Sequence, residues 1–160
     1  MRINITGFCL LLLTFLTQGC NANRDDPGAV RPYANWVLTV QNYTSLTNSS
    51  SGTNVHFTNG PSQGVWAYFS SLPNGSITTY KIIKGPANTL ANNEMVLQID
   101  NGANESWYST GEGNKQATVT KDFYGDIKVT VPLVAVRHFT NGVMQNDSTL
   151  ASADLNYLKP

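Results

Sequence analysis

A period of two constrains this chain more than any other feature. From Trp36 onward apolar and polar side chains alternate, with Trp36, Leu38 and Val40 on one side and Val37, Thr39 and Gln41 on the other. That is the spacing of a half-buried strand, and no stretch of comparable length shows the 3.6-residue period of an amphipathic helix. The same pattern predicts strands over residues 53–58, 64–70, 76–84, 94–100, 105–110, 115–121, 126–131, 133–139 and 149–157. The expectation is an all-β fold of about 8–10 short strands.

Turn chemistry supports it independently. Asn-Gly pairs stand at Asn59-Gly60, Asn74-Gly75, Asn101-Gly102 and Asn141-Gly142, each between strand segments. Both residues tolerate the positive φ that tight hairpin turns require. The clearest hairpin joins 116–121 to 126–131, which places Ala117, Val119, Ile127, Val129 and Val131 on one buried face. Short-looped antiparallel neighbours with one buried face suit an antiparallel β-sandwich, Ig-like or related, with a small β-barrel as the alternative. Residues 46–54, rich in Ser, Thr and Asn without apolar period, read as a loop.

The N-terminus carries an address. Arg2 precedes an apolar run from Phe8 to Leu16, which ends at Gly19-Cys20. A positive start, a short apolar stretch and a small residue at the cut form a secretory signal, and the run is too short to span a bilayer. Leu16-Thr17-Gln18-Gly19-Cys20 resembles a bacterial lipobox, which implies that residues 1–19 are removed and that Cys20 becomes the lipid-modified first residue. The acidic pair Asp25-Asp26 resembles the surface-export signals of Bacteroidetes lipoproteins. Residues 20–32, broken by Pro27 and Pro32, read as a lipidated tether, and 33–160 as a single β domain.

Cysteine and charge narrow the function. With Cys9 inside the signal and Cys20 acylated, the mature chain has no thiol for a disulfide, a zinc site or a nucleophile. Removing Arg2 leaves nine positive against ten negative side chains, so no electrostatic footprint for nucleic acid exists.

Candidate chemistry is sparse. His56 and His138 lie in strand segments with no ligand-spaced partner, so no metal and no cofactor is expected. No Gly-x-Ser-x-Gly occurs. Asp122 and Asp126 flank one turn, Glu105 and Glu112 another, and Asp147 lies in the last loop. Turn capping is the common use of such Asp residues, with calcium the alternative. The aromatics hold more promise. In Val65-Trp66-Ala67-Tyr68-Phe69 the alternation sends Trp66 and Tyr68 to one face, and Trp107-Tyr108 poses the same choice. Exposed, Trp66, Tyr68, Trp107 and Tyr108 would form a platform for stacking sugar rings; buried, they would anchor a core.

Leu72-Pro73-Asn74-Gly75, Tyr80-Lys81-Ile82, Trp107-Tyr108-Ser109-Thr110-Gly111 and Ala117-Thr118-Val119-Thr120 together resemble small uncharacterised surface lipoproteins of the Bacteroidetes. The resemblance covers about half of the chain, and implies an outer-membrane or cell-surface location and an all-β domain but no activity. The expectation is a lipid-anchored, non-enzymatic binding or structural module that contacts a glycan or a surface protein. The alternative is a secreted hydrolase with a loop-borne site.

Overall fold

The computed structural model describes residues 31–159 apart from 52, 74 and 75. The predicted signal at 1–19, Cys20, most of the tether and the Asn74-Gly75 turn lie outside the described residues. Within them run β1 (Tyr33–Leu38), β2 (Gln41–Ser45), β3 (Thr47–Ser51), β4 (Asn54–Thr58), β5 (Gln63–Phe69), β6 (Ile77–Ile82), β7 (Glu94–Asn101), β8 (Glu105–Ser109), β9 (Gln116–Lys121), β10 (Ile127–Thr140) and β11 (Val143–Tyr157). A 3-10 turn, Glu112–Asn114, joins β8 to β9. The fold is all-β as expected, with eleven strands among the described residues against the expected 8–10.

The strands form one mixed sheet in the order β2-β1-β11-β10-β9-β6-β7-β5-β4-β3, with β8 pairing both β7 and β10. The pairing β10-β9-β6-β7-β8-β10 therefore closes on itself as a barrel-like ring, from which β11-β1-β2 and β5-β4-β3 extend. Two long strands make this possible. The first half of β10 pairs β9 and its second half pairs β8, with a register break against β11 between Val131 and Val134. Pro132 sits in that break, where no ladder N–H is needed, so 126–131 and 133–139 are one bulged strand rather than two.

All inner faces meet in one core, including Trp36, Phe57, Leu97, Ile99, Val119, Val129 and Leu155. The β9–β10 hairpin has the expected register, Val119 opposite Val129, with Ala117, Val119, Ile127, Val129 and Val131 buried. At Asn141-Gly142 both residues have positive φ (52° and 76°), as a two-residue hairpin turn demands.

Two expectations are corrected. Val40 does not share the buried face of Trp36 and Leu38: the strand ends at Leu38, Thr39 turns at φ 63°, and Val40 is exposed. Residues 46–54 are not a loop, because Thr47–Ser51 pairs with β4 from Thr47 opposite Thr58 to Ser51 opposite Asn54. This strand is polar because it is a sheet edge, where backbone pairing on one side needs no apolar alternation. The Tyr-Ser-Thr-Gly segment is a structural joint. Ser109 is buried, its Oγ donating to the Ile83 carbonyl (2.7 Å) and accepting from the Leu97 N–H (3.2 Å). Gly111 has φ 77°, and a Cβ there would lie 2.8 Å from the Lys84 nitrogen.

Candidate functional site

Alternation along β5 buries Val65, Ala67 and Phe69 and turns Trp66 and Tyr68 to the opposite face. Strand register carries that outer face across the sheet. His56, Trp66, Gln98, Tyr108 and Arg137 stand opposite one another in turn on β4, β5, β7, β8 and β10. All five are half-buried. The Trp66 ring reaches back over Gly64, where a Cβ would lie 2.6 Å from its Cη2. It also stacks on His56, with centroids 5.8 Å apart and planes 15° from parallel. Glycine at 64 is therefore what lets the indole lie along the strand.

Beside this row is a concavity of about 440 Å³, flanked by Tyr68 and Tyr108, with Gln98, Asn88 and Thr89 among its polar lining and Val96 beneath. Its volume lies in the usual range for small-molecule sites. The wall formed by residues 86–90 is set by Gly85, against which the Tyr108 ring packs: a Cβ there would lie 3.0 Å from Tyr108 Cδ1. Asp100 is already committed, accepting from Gln98 Nε2 (2.9 Å) and Ser106 Oγ (2.7 Å).

Burial keeps the titratable rings of this face neutral, between the charges of Asp100 and Arg137. Burial raises the Tyr68 phenol above the ordinary tyrosine value, and Tyr108 and Asp100 push it further. Burial and Asp100 do the same for Tyr108, against a small opposing effect of a hydrogen bond to Ser106. Both phenols therefore stay protonated, able to donate and to accept. Burial lowers His56, favouring the neutral ring. At the end of the row Arg137 Nε is buried with no hydrogen-bond partner among the described residues.

A broader depression of about 590 Å³ lies over β1, β2 and β11. Its carboxylate is spoken for: Asp154 accepts from Tyr33 (3.4 Å) and Thr130 (3.2 Å) and pairs with Lys128 at 3.7 Å. Trp36, buried and stacked on Tyr43 at 5.6 Å, braces it from below. It matches the Tyr68–Tyr108 concavity in amides, with Asn35 and Asn42, but of its two rings Trp36 is buried, so Tyr43 alone offers a face.

The inner face near the far end of β10 holds the second cluster of chemistry. His138 stands opposite Trp107 and stacks on it, centroids 4.4 Å apart and planes 8° from parallel. Its Nδ1 meets Asp147 (3.0 Å), its Nε2 meets Glu105, and Thr140 Oγ1 donates to the same Glu105 oxygen (3.0 Å). Both ring nitrogens are thus occupied by carboxylates. A general base needs one nitrogen free toward a nucleophile or substrate, and this ring has none.

Of the predicted platform, Trp66, Tyr68 and Tyr108 come together on one face, whereas Trp107 points to the other side of β8 and packs against the core. Asp122 and Asp126 bind backbone: Asp122 Oδ1 accepts from the Asp126 N–H (2.8 Å), and Asp126 Oδ1 from the Lys159 N–H (2.8 Å). Glu112 is exposed, on the rim of a small pocket near Arg137. Sequence reading missed Gln98 and Arg137 as neighbours of Tyr108, and the joining of Glu105, His138 and Asp147, because only strand register brings them together. Comparison with protein-family models, curated proteins and solved structures finds no match.

Proposed function

We propose that the chain is an exported surface lipoprotein, anchored through a lipid on Cys20, whose β domain binds a glycan by its outer face rather than catalysing a reaction. One observation carries this reading: Tyr68 and Tyr108, both half-buried and protonated, flank a concavity floored by an apolar side chain and edged by Gln98, Asn88 and Thr89. Sugar rings present apolar C–H faces and equatorial hydroxyls. Aromatic faces take the first and amides the second. The sparse charge of the site suits a ligand recognised by stacking and neutral hydrogen bonds.

A hydrolase reading would draw on His138 beside Asp147 and Glu105. The occupied nitrogens argue against it and favour a structural clamp.

The test is face-specific. Glycan binding by the full chain, solubilised in detergent, is measured with Tyr68→Ala, Tyr108→Ala and Trp107→Phe. Losses in the first two with Trp107→Phe unchanged are expected. Binding that survives Tyr108→Ala, or falls equally in all three, contradicts the assignment.

A further inference from the structure

The loop between β9 and β10 carries Phe123 and Tyr124 at its tip, 98% and 70% exposed, in edge-to-face contact at 5.7 Å. Ile77, 70% exposed, lies at the same end, sharing a depression with Lys121 and Asp122. Nothing in the core explains two neighbouring aromatic rings in water. Scattered exposed aliphatics are ordinary, but a protruding aromatic pair beside an apolar neighbour marks a contact surface.

Strand register shows which end of the domain this is. Tyr33 of β1 stands opposite Asn156 of β11, and Tyr157 of β11 opposite Ile127, the first residue of β10. Asn156 Nδ2 also donates to the Arg31 carbonyl (3.4 Å), and the Lys159 N–H to Asp126 (2.8 Å). The chain therefore enters the described domain about 10 Å, two strand spacings, from the start of β10. The Phe123-Tyr124 tip immediately precedes that strand. The opposite tip, Asn141-Gly142, lies at the other end of the 15-residue β11, roughly 45 Å away. Tyr108 faces Arg137 on the half of β10 nearer that second tip.

Resting on the lipid anchor proposed above, the geometry points to a second membrane contact: Phe123 and Tyr124 insert into the interfacial layer of the bilayer that holds Cys20. Ten residues, or eleven Cα–Cα steps, separate Cys20 from Arg31. A segment of that length spans at most about 40 Å, less than the roughly 45 Å that would bring the opposite tip to the membrane. The end of the domain bearing the tip is thus held near the surface, and the end bearing Tyr108 is held away from it. Amphipathic aromatic rings favour the headgroup layer, and beside them Lys121 and Lys128 are balanced by Asp122 and Asp126, so the rings rather than net charge carry the contact. Two rings would not hold a free domain on a membrane. On a tethered one the contact is intramolecular, so weak insertion suffices to orient the domain. The ligand face would then point outward.

The test uses the full lipidated chain in vesicles of phosphatidylethanolamine and phosphatidylglycerol. An environment-sensitive fluorophore is placed at Tyr124→Cys and, separately, at Asn141→Cys, with fatty-acid incorporation and vesicle flotation measured on the same samples. A blue-shifted signal at 124 that brominated lipid quenches, with an unshifted and unquenched signal at 141, is expected. Water-like emission at 124 on a chain that is acylated and floats overturns the insertion and leaves the anchor intact. A blue shift that brominated lipid does not touch assigns the tip to a protein contact and also overturns it. A chain that neither incorporates fatty acid nor floats removes the anchor and this inference with it.

Discussion

Trp107 lies flat against His138, ring centroids 4.4 Å apart, while Glu105 and Asp147 take the two imidazole nitrogens. The stack joins β8 to β10, and Asp147 brings in β11. His138→Ala removes the stack and leaves Glu105 and Asp147 without the ring they share. A loss of about 2 kcal/mol is expected in urea unfolding, from an aromatic stack and partly exposed charge-assisted bonds. Glycan binding by the outer face is expected to persist in the same variant.

Gly64→Ala tests the seat of Trp66. The added Cβ would meet Trp66 Cη2 at 2.6 Å and the Phe57 carbonyl oxygen at 2.8 Å. The backbone oxygen cannot swing aside as a side chain can, so a cost of about 1–3 kcal/mol is expected. Displacement of the indole from His56 is expected to shift the tryptophan emission. An unchanged spectrum and melting temperature would mean that the indole does not depend on this glycine.

Ser109→Ala leaves the Ile83 carbonyl and the Leu97 N–H without the hydroxyl that serves both, at a buried position. Two groups losing a partner at about 1–3 kcal/mol each give an expected destabilisation of about 2–6 kcal/mol. Thermal unfolding checks it. Ser109→Thr tests the same joint by volume rather than by lost bonds.

How far the sequence reached depends on what each element needs. The β9–β10 hairpin was legible because one of its faces is core and the other solvent, so apolar side chains recur every second residue. β2 and β3 were not legible, since they are edges built from Gln, Asn, Tyr, Thr and Ser whose register is set by their neighbours. Ser45, the one buried side chain of β2, is fixed by donating to the Thr58 carbonyl rather than by apolar packing. Pro132 reads as a break in sequence and proves to be a bulge in space. For the site, alternation alone separated Trp66 and Tyr68 from Val65, Ala67 and Phe69. It could not say which of Trp107 and Tyr108 faces outward, because that depends on the partner strands. The pairings of Gln98 with Tyr108 and of Ile99 with Trp107 decide it.

Acid dependence follows from His56. Burial lowers its pKa in the folded state. As pH falls through about 6.5 the unfolded chain takes up the proton first, so stability decreases with acidification until the folded-state pKa is passed. His56→Gln removes this contribution. Relative to the wild type, the variant's urea midpoint is expected to be higher at pH 5 than at pH 7.5. A difference between the two proteins that does not change with pH would contradict this assignment.

The central claim is that the face between Tyr68 and Tyr108 takes a sugar. A glycan array read with the detergent-solubilised full chain, beside the Tyr68→Ala/Tyr108→Ala double variant, tests it most directly. Discrete glycans bound by the wild type are expected, with each signal lost in the double variant and the variant's unfolding still cooperative. Loss of two stacking rings at about 1 kcal/mol each or more amounts to a drop of at least about 30-fold. An array on which the wild type binds nothing, or on which the double variant reproduces the wild-type pattern, would contradict the account.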